Sequence, residues 1–130
     1  MMKNYSDTDA LVLAAIHCGG NDKGIKNTLD MLDHSILNYE ELKQSVNNLA
    51  AGGLVSLDGS GMHVTEKALP YLENSDKMGC IAWRFMVSEA LRREYYDETA
   101  VQSIELPFTK EEYERKWLFN RILRFLGTHK

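Results

Sequence analysis

Two adjacent glycines, Gly52 and Gly53, constrain the fold of this chain more than any other feature of its sequence. Apolar residues recur at helical spacing before the pair, and apolar and polar residues alternate after it. Because glycine accepts the positive φ with which many helices end, the pair predicts a sharp change from helix to strand. Residues 54–57 and 62–65, joined by the polar turn 58–61, are accordingly predicted to form a small β-hairpin.

Helices are predicted on both sides of this hairpin. Ser6 followed by Asp9, and Asn38 followed by Glu41, are helix-start signals, because the first side chain of each pair can accept from an exposed backbone amide. Thr65 is placed to cap a further helix. The predicted helices cover residues 6–18, 25–34 and 39–52, a short stretch from 66, and residues 78–96 and 109–126.

Two segments between these helices carry informative apolar residues. Leu69 and Leu72 of the short helix are predicted to face inward. Residues 97–108 contain no glycine but hold several apolar side chains, including Ile104 and Leu106. This segment is therefore predicted to be extended, or an ordered loop held by those residues.

The order of helix, helix, helix, hairpin and helix within about 70 residues is typical of a winged helix-turn-helix domain. The segment VNNLAAGGLV at 46–55, followed by VTEKA at 64–68, resembles the matching segments of MarR-like and PadR-like transcriptional regulators. Ala68 stands where those families usually have glycine, and the hairpin turn lacks Arg or Lys. The predicted fold class is mainly α with a small β-hairpin: a winged helix-turn-helix at 1–74, plus C-terminal helices at 75–130 as a dimerisation or packing element.

This resemblance implies a DNA-binding transcriptional regulator that acts as a homodimer on double-stranded DNA. The helix that begins at residue 39 would lie in the major groove, where Asn and Gln can pair with adenine and Lys can reach guanine or a phosphate. Together with Glu40, the outward positions of this helix are the predicted DNA-binding residues Tyr39, Lys43, Gln44, Asn47 and Asn48. The alternative is that these residue types form an ordinary solvated helix face.

The acidic net charge of the chain favours a protein partner over DNA for the same fold. The chain has 15 Lys and Arg and 19 Asp and Glu, for a net charge of −4. Residues 1–73 hold five basic and ten acidic residues, whereas contacts to phosphate usually dominate affinity for DNA. The alternative function is therefore a winged-helix protein–protein interaction module without sequence-specific DNA binding.

The last predicted helix carries a large apolar surface framed by basic residues. Such a surface is too large to leave in water on a small monomer, and a second copy of the chain is the expected partner. The alternatives are packing against helix 78–96 and lying on a membrane surface. The predicted dimerisation residues are Trp117, Ile122, Phe125 and Leu126.

The sequence gives no pattern of a catalytic, metal or cofactor site. The four histidines stand in four separate elements, and glycine-rich phosphate-binding and nucleophile motifs are missing. Cys18 and Cys80 are far apart and are predicted to be buried thiols. We expect a cytoplasmic protein that is not an enzyme and has no cofactor, metal or membrane partner. An effector pocket is the remaining alternative, lined by Trp83, Phe85, Tyr95, Tyr96, Phe108 and Trp117.

Overall fold

The computed structural model describes residues 2–18, 37–58, 61–73, 77 and 79–113. Within these residues the protein is mainly helical and has two small antiparallel sheets. This confirms the coarse fold class, mainly α with a small hairpin. The predicted helix at 25–34 and the predicted dimerisation residues Trp117, Ile122, Phe125 and Leu126 lie outside the described residues.

The described elements are three α-helices, four short strands and two 3-10 helices, apart from a helix start at Lys110. They are β1 (Met2–Asn4), α1 (Asp7–Cys18), α2 (Tyr39–Ala51), β2 (Val55–Asp58), β3 (Gly61–Val64), a first 3-10 helix (Glu66–Tyr71), α3 (Cys80–Leu91), β4 (Tyr95–Asp97) and a second 3-10 helix (Glu98–Ala100). A further helix begins at Lys110. Residues 101–106 between these last elements have no regular secondary structure.

Both predicted helix-start pairs are confirmed. Ser6 Oγ accepts from the Asp9 amide at 3.1 Å, and Asp9 Oδ2 accepts from the Ser6 amide at 3.0 Å. Asn38 Oδ1 accepts from the Glu41 amide at 2.8 Å, and Glu41 Oε1 accepts from the Asn38 amide at 3.3 Å. Each reciprocal pair satisfies two amides that the helix itself leaves without a partner.

Helix α1 lies at the centre of the protein and is buried on all sides. Every residue from Asp9 to Ile16 is buried, and the helix packs against α2, α3 and β3. A helix enclosed in this way has no polar face, which explains its continuous apolar run. The prediction that Cys18 is buried is wrong, because this thiol lies at the exposed end of the helix.

The double glycine ends α2 and leads into the hairpin, as predicted. Gly53 has φ of +76°, a conformation that strains residues with a side chain. Gly52 is required for a different reason, because a Cβ there would lie 1.6 Å from the Tyr5 hydroxyl. Strands β2 and β3 then pair antiparallel, with Val55 opposite Val64.

The element after the hairpin differs from the prediction. Thr65 makes no side-chain cap; its hydroxyl donates to the Gly53 carbonyl at 2.6 Å instead. A 3-10 helix with Pro70 inside replaces the predicted α-helix, since proline lacks the amide an α-helix would use. Leu72 is buried as expected, but the inward orientation of Leu69 is wrong, because the tighter helix turns this side chain into solvent.

Helix α3 ends earlier than predicted because the chain leaves it to form a second sheet. After Leu91 the backbone turns, and β4 pairs antiparallel with β1, so that Lys3 lies opposite Tyr96. The Asn4 amide group donates to the Arg92 carbonyl at 2.9 Å and holds this turn. The segment that holds the chain after α3, β1 with Asn4, thus lies almost ninety positions earlier in the sequence.

Residues on both sides of position 74 share one hydrophobic cluster. Leu42, Leu49 and Met62 from the first part are buried together with Val87 and Leu91 from the second. The Trp83 indole is also buried and donates to the Leu72 carbonyl at 3.3 Å, across this position. Helix α3 and β4 are therefore packed into the same core as the hairpin and α2.

Candidate interaction surface

The outer face of α2 is covered by the chain itself. The side chains of Tyr39, Asn47 and Asn48 are buried, with Tyr39 6% and Asn47 4% exposed. The prediction that these three residues point into solvent is therefore wrong. Gln44 is exposed as expected, and Lys43 is partly covered. The cover is a segment of residues 101–108, here called the strap, which runs across α2 without regular secondary structure.

Asn47 binds the backbone of the strap at two points. Its Oδ1 accepts from the Ile104 amide at 2.9 Å, and its Nδ2 donates to the Ile104 carbonyl at 3.2 Å. The same Nδ2 also donates to the Lys43 carbonyl at 2.8 Å, which fixes the side chain on its own helix. A side-chain amide can satisfy both polar groups of one peptide residue in this way, so Asn47 recognises extended main chain.

The next strap residue, Glu105, is held through its charge. Lys43 Nζ donates to Glu105 Oε1 at 2.8 Å, and the Tyr39 hydroxyl donates to Oε2 at 3.3 Å. The hydrogen bond from Lys43 lowers the pKa of Glu105 and raises the pKa of Lys43 itself. Burial, followed by the Glu105 charge, raises the pKa of Tyr39. The three side chains form a carboxylate-binding contact at the edge of α2.

The last part of the strap is anchored by apolar side chains. Leu106 and Phe108 are buried, and the Phe108 ring stacks on Tyr113 with centroids 5.8 Å apart. The Tyr113 hydroxyl donates to the Leu37 carbonyl at 2.8 Å, just before α2. These contacts confirm the prediction of an ordered loop held by apolar residues, and they fix the strap at its C-terminal end.

A second polar network joins α2 to α1. Asn48 Nδ2 donates to Asp9 Oδ1 at 3.4 Å, and Asn48 Oδ1 accepts from Gln44 Nε2 at 2.8 Å. Burial is the main cause that raises the pKa of Tyr5 to about 12, and the nearby Asp9 carboxylate adds to it. Asn48 is thus an internal link between α2 and the start of α1.

An open groove remains between the exposed side of α2 and the first residues of the strap. Its volume is about 230 Å³. Its lining is mostly polar and consists of Glu40, Lys43, Gln44, Asn47, Val101, Gln102 and Ser103. The strap therefore fills the face of α2 from residue 104 onward and leaves the adjoining part open to another molecule.

The remaining surfaces considered for DNA or an effector are the hairpin and a set of aromatic residues. Asp58 and His63 form an ion pair across the hairpin at 3.3 Å when His63 is protonated, and residues 54–66 contain no Lys or Arg. Among the described aromatics, Trp83, Tyr96 and Phe108 are buried in the core, whereas Phe85 and Tyr95 are exposed. The described members of the expected effector pocket are therefore divided between the core and the surface. Trp117 lies outside the described residues.

The described ranges contain no group of three or more His, Cys, Asp or Glu residues placed to hold a metal ion. No helix within them has the length and apolar character needed to cross a membrane. Comparisons with family models, with curated proteins and with solved structures each gave no match to the chain. The strap contact was not predicted, although the apolar residues of 97–108 were its signal in the sequence.

Proposed function

We propose that this chain is a protein-interaction module on a winged-helix fold, in which the outer face of α2 holds extended polypeptide. The observation that carries this proposal is the pairing of Asn47 with both backbone groups of Ile104. A helix face that binds main chain through an amide and a neighbouring carboxylate through a lysine has the chemistry of peptide recognition.

The charge of α2 supports a protein partner over a nucleic acid. Glu40 and Glu41 are exposed at the start of the helix, while Lys43 is already paired with Glu105. DNA binding needs uncompensated positive charge, since release of counterions from phosphates supplies much of the affinity. On this face the described residues offer exposed carboxylates instead.

The test is selection from two libraries at low salt, one of random duplexes and one of displayed random peptides. We expect the full chain to enrich peptides with a shared pattern and no duplex sequence. Asn47→Ala should abolish the peptide enrichment, while Glu89→Ala on the exposed side of α3 should preserve it. Enrichment of a duplex sequence without any peptide pattern would refute the interaction module.

The second candidate is the homodimeric, winged-helix DNA-binding regulator implied by the resemblance. It is favoured by the presence of Lys43, Gln44, Asn47 and Asn48 on one helix that is followed by a hairpin. These side chains would contact bases only after they leave Glu105, Ile104 and Asp9. A duplex selection with a variant whose strap is held less tightly, such as Glu105→Ala, tests this candidate. This variant should enrich a DNA sequence that the native chain does not.

The homodimer rests on the C-terminal apolar residues Trp117, Ile122, Phe125 and Leu126. A chain truncated after residue 114 should then sediment as a monomer, or aggregate, under conditions in which the full chain is a dimer. A monomeric full chain would refute this part of the proposal.

A further inference from the structure

The strap displays on α2 the kind of ligand that this face accepts. Three consecutive strap residues are held in different ways: Ile104 by two backbone hydrogen bonds, Glu105 through its carboxylate and Leu106 by burial of its side chain in the core. The backbone contact sets an extended conformation, and the half-buried Ile104, the paired Glu105 and the buried Leu106 set the sequence. The pattern is an apolar residue, then glutamate, then leucine.

We propose that the outer face of α2 is a binding site for a partner protein's extended segment of this pattern, and that the strap occupies the site in its absence. The inference rests on the proposed function and names the class of partner. Lys43 and Tyr39 would hold the partner's glutamate, and Asn47 would pair with the residue before it. Partner and strap would therefore compete for the same three side chains.

The groove beside the strap favours a partner protein over a second copy of this chain. If two copies exchanged their straps, each strap would make the same contacts that it already makes within its own chain. The dimer would gain no new contact and would carry the entropic cost of association. A different segment can gain contacts, because about 230 Å³ next to Ser103 is open and polar. Polar residues ahead of the apolar–Glu–Leu pattern would fill this space and contact Glu40 or Gln44.

Competition by the strap lowers the affinity with which any partner segment binds to α2. A tethered segment acts at an effective concentration on the order of millimolar, so a peptide identical to the strap should bind the native chain only weakly. The apparent affinity rises in proportion to the fraction of molecules whose site is open. Weakening the strap in the chain should therefore strengthen binding of the same sequence supplied as a peptide.

The experiment uses the full chain and a fluorescent peptide, VQSIELPF, that reproduces residues 101–108. Ile104→Pro removes the amide that donates to Asn47. Introduced into the chain, it should tighten peptide binding at least tenfold in an anisotropy titration. Introduced into the peptide instead, the same substitution should abolish binding. Ile104→Val keeps the amide and should change neither measurement.

A second substitution, made in the chain and in the peptide, keeps the test valid if the Ile104→Pro chain does not fold. Glu105 is 76% exposed, so Glu105→Ala leaves the core intact, which circular dichroism verifies. This substitution should also tighten binding when made in the chain and weaken it when made in the peptide. In the Glu105→Ala chain, Asn47→Ala should then remove peptide binding.

Several outcomes would overturn the inference. Equal peptide affinity for the native and both strap-weakened chains would show that the strap does not compete. Equal binding of the native and proline peptides would show that Asn47 does not recognise the peptide backbone. A dimer of the native chain that the peptide dissociates would assign the site to a second copy. If displayed peptides of another pattern depend on Asn47, the interaction module stands and the named partner class fails.

Discussion

The two faces of α2 are held by different kinds of interaction. The inner face buries Leu42, Val46 and Leu49 completely against α1 and the hairpin. The outer face is covered by the strap through hydrogen bonds, one ion pair and a few apolar residues at its end. Apolar burial cannot be replaced by water, whereas polar contacts can be exchanged for others of the same chemistry. The inner face thus supports the fold, and the outer face is suited to a ligand.

The largest expected effect comes from opening the inner face. Leu49→Ala should lower the free energy of unfolding by about 2–5 kcal/mol, since it leaves a cavity in the core. Urea denaturation followed by circular dichroism measures the change. As a control, Glu40→Ala on the exposed side should change it by less than about 0.5 kcal/mol. Similar losses for both variants would refute the distinction between the two faces.

A smaller effect is expected from the strap side. Asn47→Ala removes both contacts to Ile104 and should cost about 1–3 kcal/mol, because the half-buried backbone groups of Ile104 lose their partners. Hydrogen exchange at the Ile104 amide should accelerate while the Leu49 amide stays protected. Asn47→Asp keeps an acceptor for the Ile104 amide and should give an intermediate rate. An unchanged Ile104 rate in Asn47→Ala would contradict the assigned contact.

Alkaline pH should lower the free energy of unfolding through Tyr5, which lies beside Gly52 at the end of α2. The folded protein keeps Tyr5 neutral up to its pKa of about 12, whereas an unfolded tyrosine ionises near 10. The stability that this difference provides is complete below pH 10 and is lost as the pH rises to 12. Tyr5→Phe should therefore reduce the slope of unfolding free energy against pH in this range. An identical slope in the variant would show that Tyr5 is not the titrating group.

The smallest expected effect is the acid response of the strap. Because the pKa of Glu105 is lowered from 4.5, its contact stabilises the strap above that pH and is lost as the pH falls through the folded value. The amide resonance of Ile104 should therefore move in an NMR titration from pH 5 to pH 3. Glu105→Gln should remove this movement, and Glu89→Gln, on α3 and outside the strap, should preserve it. Persistence of the movement in Glu105→Gln would assign it to another group.

The sequence was a good guide wherever the partners lie close together along the chain. Both helix-start pairs, Ser6–Asp9 and Asn38–Glu41, were predicted correctly because each joins residues three positions apart. The hairpin followed from the double glycine and the alternation after it. Thr65 shows the limit of this reasoning, since its hydroxyl binds Gly53, twelve residues back, rather than the next turn.

The tertiary structure alone decided which polar residues of α2 are available. By its own pattern α2 has an amphipathic sequence, so its polar side was predicted to face solvent. Asn47 and Ile104 are 57 residues apart, and Tyr39 and Glu105 are 66 apart. No local pattern records such a pairing, because it depends on where β4 places the chain after α3. The sequence therefore determined α1, α2, their starts and the hairpin, because these depend on residues close together along the chain, while the fold determined that the chain covers its own candidate binding face.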